Sequence, residues 1–216
     1  MKYEDETKNR YRSEIEAVSY KDGYTNGYSL RVLKNKFIAF CEQRAVMKAA
    51  GYCDSINKVI DIPCGTGKMT NLLSEKYELY VGVDMSYEMM QQIHNVKGLT
   101  FIQGDATAIP FADKSTDLVV SLRLIHRLPS EVKYEFFKEM SRVSSKYIIF
   151  SFSDSSFAHR VLLRIKMLIG LVPEKVIAEV IEDYHALLES RGFRLEKKIF
   201  VLPMVSNQVI HLYSAL

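Results

Sequence analysis

With 216 residues, 48% of them hydrophobic, the chain is long enough for one domain with a full core and a small helical addition. A net charge of +3 gives no argument for nucleic acid, which calls for a basic face or stripe, and three widely spaced cysteines do not form a disulfide framework. No apolar run reaches the ~18 residues of a membrane span, and the charged start Met1-Lys2-Tyr3-Glu4-Asp5-Glu6 lacks the apolar core of a signal peptide. The expectation is a soluble, cytoplasmic protein.

Residues 1–28 are polar and tyrosine-rich, with Tyr20, Tyr24 and Tyr28 set around Gly23 and Gly27, and predict an arm outside the core. Ser29–Ala50 has helical periodicity through Leu30, Leu33, Phe37, Phe40 and Cys41, with Gly51 as its stop. Residues 1–50 are therefore expected to form an arm and cap helix on a main domain over 51–216.

Strands and helices then alternate. Lys58–Ile62 is a near-continuous apolar strand, as expected where both faces are covered. Gly67–Tyr77 is a helix burying Met69, Leu72 and Leu73. Leu79–Val83 is a second strand closed by Asp84, and Ser86 caps a helix carrying Met89, Met90 and Ile93. Thr100–Gln103 is a third strand closed by Gly104-Asp105, and Asp117–Leu122 is the fourth. Ser130 opens a helix with Val132, Phe136, Met140 and Val143 on one face, and Tyr147–Phe152 is strand five.

Residues 153–172 read as an insertion containing an amphipathic helix, Ala158–Val172, with Arg160 and Arg164 opposite its apolar stripe. A second helix, Glu174–Arg191, stops at Gly192. Phe193–Leu202 and Gln208–Leu216 are strands too close together for a parallel crossover, so they pair antiparallel. The fold class is α/β: a doubly wound, seven-stranded, mostly parallel sheet with an antiparallel last strand at a reversed edge and an N-terminal helical cap. Its ligand should sit at the carboxyl ends of strands one and four, where the winding reverses.

The stretch Asp61-Ile62-Pro63-Cys64-Gly65-Thr66-Gly67-Lys68-Met69 is the centre of that expectation. A P-loop fails because Ile62 stands where its first glycine belongs and Met69 where the magnesium-binding hydroxyl belongs. A dinucleotide fingerprint is weak because Thr70 takes the third glycine place and Asp61 would repel a pyrophosphate. Asp61 suits instead a ligand with a positive charge and an amine. Asp84 at the end of strand two can accept from ribose hydroxyls, and Asp105 at the end of strand three from an adenine amino group. Each carboxylate alone is equally well a strand-end turn or cap; three on successive strands point to one ligand.

Ile60-Asp61-Ile62-Pro63-Cys64-Gly65-Thr66-Gly67, Val81-Gly82-Val83-Asp84-Met85-Ser86 and Gly104-Asp105-Ala106 with Ile109-Pro110-Phe111 resemble the successive motifs of class I S-adenosylmethionine-dependent methyltransferases. Within that class they are similar to the small-molecule group containing the ubiquinone/menaquinone-biosynthesis enzymes. The resemblance covers residues 58–152, through Asp117–Leu122 and His126-Arg127-Leu128.

The resemblance implies S-adenosyl-L-methionine as cofactor, S-adenosyl-L-homocysteine as product and no metal. Asp61 would hold the methionyl amine through water, and the loop Pro63, Cys64, Gly65, Thr66 and Gly67 would approach the methionyl and ribose part. Asp84 would bind the ribose, and Met85 would pack on the adenine. Asp105 and the Ala106 N–H would read the adenine edge, and Leu122 would face the amino acid part. Pro63 replaces the family's first loop glycine, which removes a backbone donor and stiffens the loop.

Methyl transfer needs mainly positioning, plus a base when the acceptor must lose a proton. His126 is the candidate general base, with a structural histidine as the equal alternative. Ser121-Leu122-Arg123-Leu124 is not the Asn/Asp-Pro-Pro-Tyr/Phe of enzymes that methylate base nitrogens, and Cys64 in the loop reads as a small apolar residue. The acceptor is therefore expected to be a small molecule methylated at oxygen or carbon, contacted by Tyr24, Tyr28, Arg123 and Arg160, with no nucleic-acid partner. The Ala158–Val172 stripe reads as a lid. Its alternative is contact with a membrane surface or an anionic, lipid-like acceptor. A non-catalytic cofactor-binding module, and a protein or RNA methylase relying on a partner, stay open.

Overall fold

A computed structural model describes residues 30–94, 98–153, 182–202 and 208–216. The N-terminal arm with Tyr24 and Tyr28, the 158–172 stripe with Arg160 and Arg164, and the Pro203 turn lie outside them.

The elements in order are α1 (Leu30–Ala50), β1 (Lys58–Asp61), α2 (Thr70–Lys76), β2 (Leu79–Asp84), α3 (Tyr87–Gln91), β3 (Thr100–Gln103) and β4 (Thr116–Ser121). A 3-10 turn (Ile125–Arg127) and α4 (Ser130–Val143) follow. Then come β5 (Ser144–Ser153), α5 (Glu182–Ser190), β6 (Phe193–Phe200) and β7 (Gln208–Ala215). The sheet runs β3-β2-β1-β4-β5-β7-β6. β1 pairs parallel with both β2 and β4, so the winding reverses beside Asp61, which lies level with Gly82 on one side and Val120 on the other.

Alternate residues of the central strands feed two apolar layers. Ile60, Val81, Val119, Ile148, Phe150 and Tyr213 meet α4 and α5 through Phe136, Phe137, Met140, Tyr184 and Leu188. Val59, Tyr80, Leu118, Val120, Ile149 and Leu212 meet α1 and α2 through Val46, Ala49, Met69 and Leu73. Each such side chain contributes about 1.5–3 kcal/mol on burial, so both faces of the sheet are held and its carboxyl edge is left to carry loops.

Two expectations are corrected. The last strand is antiparallel as expected, but it lies inside the sheet and not at its edge: β7 pairs antiparallel with β5 on one side and β6 on the other, leaving β6 outermost. A crossover through α5 carries β6 past the position that the short β6–β7 connection then fills. α1 is helical as expected, but the large apolar residues of its periodic stripe do not all face the core. Phe37 and Phe40 are 57% and 53% exposed, whereas Glu42, Ala45, Val46, Ala49 and Ala50 form the buried face against β5, β6 and β7. Small side chains let the helix approach the sheet closely, and a reading that weights large apolar residues misses them.

Candidate functional site

At the carboxyl end of β1 the chain leaves the sheet through a loop pinned to both neighbouring strands. Ile62 N donates to Val120 O and Cys64 N to Val83 O, each at 2.9 Å. The Ile62–Pro63 peptide is cis. Gly65 and Gly67 have φ of +54° and +82°, the left-handed region that glycine enters without a Cβ penalty. A Cβ on Gly67 would stand 2.9 Å from Ile93 Cγ2, whereas one on Gly65 would meet nothing within 4 Å. Gly67 thus serves packing, and Gly65 leaves open backbone on the crevice side.

Asp61 is buried and accepts from Tyr80 Oη at 3.0 Å; Tyr80 Oη also pairs with Thr70 Oγ1 at 2.9 Å. Burial pushes the Asp61 carboxyl up to about 7, against the Tyr80 hydrogen bond and with the help of the nearby Asp84 charge. Asp84 is held by two backbone donors, Gly65 N to Oδ2 at 2.7 Å and Ser86 N to Oδ1 at 2.9 Å. Burial raises its carboxyl as well, opposed by the backbone N–H groups of Ser86, Gly65 and Met85. A carboxylate offers about four lone-pair sites, so two bonds leave both oxygens able to accept again. Ser86 closes the arrangement by capping α3, its Oγ accepting from Met89 N at 3.1 Å.

Asp105 spends one oxygen locally: Oδ1 accepts from Thr107 N at 2.9 Å and Thr107 Oγ1 at 2.8 Å. That is a side-chain turn, and any reading of a base by Asp105 falls to Oδ2. The loop behind it is fixed by α4. Glu139 Oε2 accepts from Ile109 N at 2.8 Å, while Arg142 donates to the carbonyls of Phe111 and Ile109 at 2.7 and 2.9 Å. Met85 and Ala106 are half-buried on the two loops, and Gln103 Nε2 donates to the Met85 carbonyl at 2.9 Å.

On the β4 side, Leu122 is half-buried and Ser121 Oγ is buried with no hydrogen-bond partner among the described residues. Arg123 reaches α1, where its Nε donates to Glu42 Oε2 at 2.6 Å. His126 is exposed on the 3-10 turn. Cys64 is buried, and burial with the Asp61 and Asp84 charges drives its thiol far up, so it has no thiolate character. Among the described residues no group of three or more His, Cys, Asp or Glu could hold a metal ion.

The structure therefore gathers Asp61, the 63–67 loop, Asp84, Met85, Asp105, Ala106 and Leu122 at one edge of the sheet. Sequence reasoning missed Tyr80, Thr70, Glu42, Gln43, Glu139 and Arg142. Tyr80 had a signal, since a tyrosine inside an apolar parallel strand needs a partner for its hydroxyl.

The chemistry of the donor set fits the implied cofactor. Two buried carboxylates whose charges oppose each other call for a cationic group, and Asp84 presents two acceptors to a vicinal diol. The open Gly65 backbone admits close approach.

Comparison with known proteins agrees. Residues 59–146 match the family described as a methyltransferase domain. A fatty-acid O-methyltransferase of Mycolicibacterium smegmatis is 30% identical over 104 residues, 45% of this chain and 37% of that protein. A phthiotriol/phenolphthiotriol dimycocerosates methyltransferase of Mycobacterium ulcerans is 32% identical over 77 residues, 33% of this chain and 28% of that protein. The chain thus matches well under half the length of these relatives. The crystal structure of a magnesium protoporphyrin IX methyltransferase from Synechocystis PCC 6803, with bound S-adenosylhomocysteine, superposes with a TM-score of 0.76 at 18% identity. That match covers 99% of this chain and 100% of the other, a likeness of fold.

Proposed function

We propose that the chain is a class I S-adenosylmethionine-dependent methyltransferase that methylates an oxygen or carbon of a small, lipid-like or anionic acceptor. The observation that carries the reading is the pair Asp61 and Asp84. Both are buried at the ends of adjacent strands, with Asp84 fastened directly to the glycine loop at Gly65. When bound, S-adenosylmethionine supplies a sulfonium methyl group that leaves without the carbon–sulfur bonding pair, so the product is a neutral thioether.

The protein's part is placement and water exclusion. Asp61 neutralises the cationic amino acid end, Asp84 fixes the ribose, and Met85 with the Asp105–Ala106 turn holds the base. Leu122 faces the amino acid part. His126 takes the proton that an acceptor hydroxyl loses as its oxygen gains the methyl carbon; an acceptor that is already anionic needs no base. The lipid-like or anionic acceptor is supported by two relatives named for a fatty acid and for phthiotriol lipids.

The test is transfer of labelled methyl from S-adenosylmethionine to a panel of fatty acids, phenolic lipids and small diacids, with RNA and protein extracts alongside. The reading expects label in an ether, ester or C-methyl product of the panel. Label confined to RNA or protein, or none despite cofactor binding, would replace it with a partner-dependent methylase or a binding module.

A further inference from the structure

The crevice has a second set of anchors, and their α1 partners come from outside the stretch that matches the family. Glu42 on α1 and Arg123 after β4 form an ion pair at 2.6 Å, with side chains only 3% and 13% exposed. Arg123 has φ of +60°, a left-handed conformation that costs a non-glycine residue roughly 1–2 kcal/mol. Its N–H donates to Ser151 Oγ on β5 at 2.8 Å. One residue further along α1, Gln43 Nε2 donates to the carbonyl of Lys68 at 2.6 Å, on the loop that follows β1. Consecutive residues of one helix thus grip both walls of the switch-point crevice.

The Glu42 carboxyl is raised by burial and brought back by Arg123 first, then by Lys68 and Gln208. Its polar partners, two cations and one amide, therefore come from the β4 turn, the β1 loop and the start of β7 together. A buried ion pair is a poor source of stability compared with an apolar pair of the same shape, and its best-attested use is to fix register. Here the register lies between a helix and two loops that flank the ligand site, and the strained Arg123 backbone is what the pair holds in place. Were the pair only a fastener for α1, the Ala45, Val46, Ala49 and Ala50 face would already supply that contact.

We propose that Glu42 is a positioning residue for the cofactor. Through Arg123 it sets the Ser121–Arg123 turn against the Gly65–Lys68 loop, so that α1, with Gln43, completes the pocket. The inference rests on the cofactor reading above, and the closing experiment separates the two.

Glu42→Gln, Gln43→Ala and the double variant Glu42→Leu/Arg123→Met are compared with wild type in three measurements. These are thermal melting, S-adenosylhomocysteine binding by calorimetry, and hydrogen exchange of the 65–68 and 121–124 amides without ligand. The apolar double variant should melt at or above wild type, since it removes two buried charges together. It should nevertheless bind about fivefold or more weakly, within the range of coupling between contacting residues, and its 65–68 and 121–124 amides should exchange faster. A double variant that keeps wild-type stability, affinity and exchange rates overturns the proposal, as does weakened binding in strict proportion to lost stability. If wild type itself binds no S-adenosylhomocysteine, the cofactor reading fails instead; the exchange measurement on ligand-free protein then still decides whether Glu42 sets the two loops.

Discussion

Tyr80 donates its phenolic hydrogen to Asp61 at 3.0 Å, joining the start of β2 to the last residue of β1 behind the glycine loop. A neutral donor fixed on a buried carboxylate aims its lone pairs and partly offsets the loss of water. Tyr80→Phe should therefore destabilise the fold by about 1–3 kcal/mol, the cost of leaving a buried group unsatisfied. It should also push the Asp61 carboxyl further up, weakening cofactor binding at neutral pH. Urea unfolding and calorimetry on the variant check both parts.

The Asp61 carboxyl, pushed up to about 7, sets a pH dependence for the cofactor. A cationic amine requires the carboxylate, so below that pH binding must first release a proton. Affinity should fall by roughly tenfold for each pH unit below the Asp61 value and level off above it. Without ligand the sign is opposite: the folded carboxyl stays protonated where the unfolded one is ionised. Its contribution to stability is then fully present below the unfolded value near 4 and is lost as pH rises through about 7. Asp61→Asn should flatten both profiles, read by calorimetry and unfolding between pH 5 and 9.

His211 works against this at the acid side. It is buried between Phe150, stacked at 5.2 Å, and His185 at 5.7 Å, and burial first, then the Lys198 charge, push it down to about 3. The unfolded chain gains a proton below its value near 6.5 while the folded chain does not. Stability should fall by up to ~1.4 kcal/mol per pH unit from that point towards 3. His211→Phe should remove that slope, seen as a flatter acid branch in melting temperature against pH.

Gly67 should not accept a side chain. Its φ of +82° and the 2.9 Å approach of a Cβ to Ile93 Cγ2 make Gly67→Ala both strained and crowded, a loss of about 1–3 kcal/mol. Gly65→Ala, with the same strain and no clash, should lower stability less and cofactor affinity more. Paired melting and binding measurements separate the two.

His126→Ala tests the base. Loss of about a hundredfold or more in kcat, with the acid limb of the pH profile removed and the cofactor Kd unchanged, fits a base. Full turnover at every pH would leave His126 a structural residue of the 3-10 turn.

Much of this was legible in the chain itself because the strand ends are chemically marked. Asp61, Asp84 and Gln103-Gly104-Asp105 each close an apolar run, and Ser86 caps its helix as expected, accepting from Met89 N. Relations between distant segments were not legible. Nothing local ties Glu42 to Arg123, and the order β5-β7-β6 depends on how a crossover packs rather than on any residue in it. Asp105 shows the limit from the other side, since the turn to Thr107 and a ligand role draw on the same carboxylate.

The central claim is that Asp84, tied to Gly65 N at 2.7 Å and Ser86 N at 2.9 Å, is the ribose anchor of an S-adenosylmethionine site. Calorimetric titration of folded wild type and Asp84→Ala with S-adenosylhomocysteine tests it most directly. The account predicts one site per chain in wild type and at least about a tenfold loss in the variant, the worth of a charged hydrogen bond made away from water. No binding to wild type, or equal binding by both proteins, would contradict it.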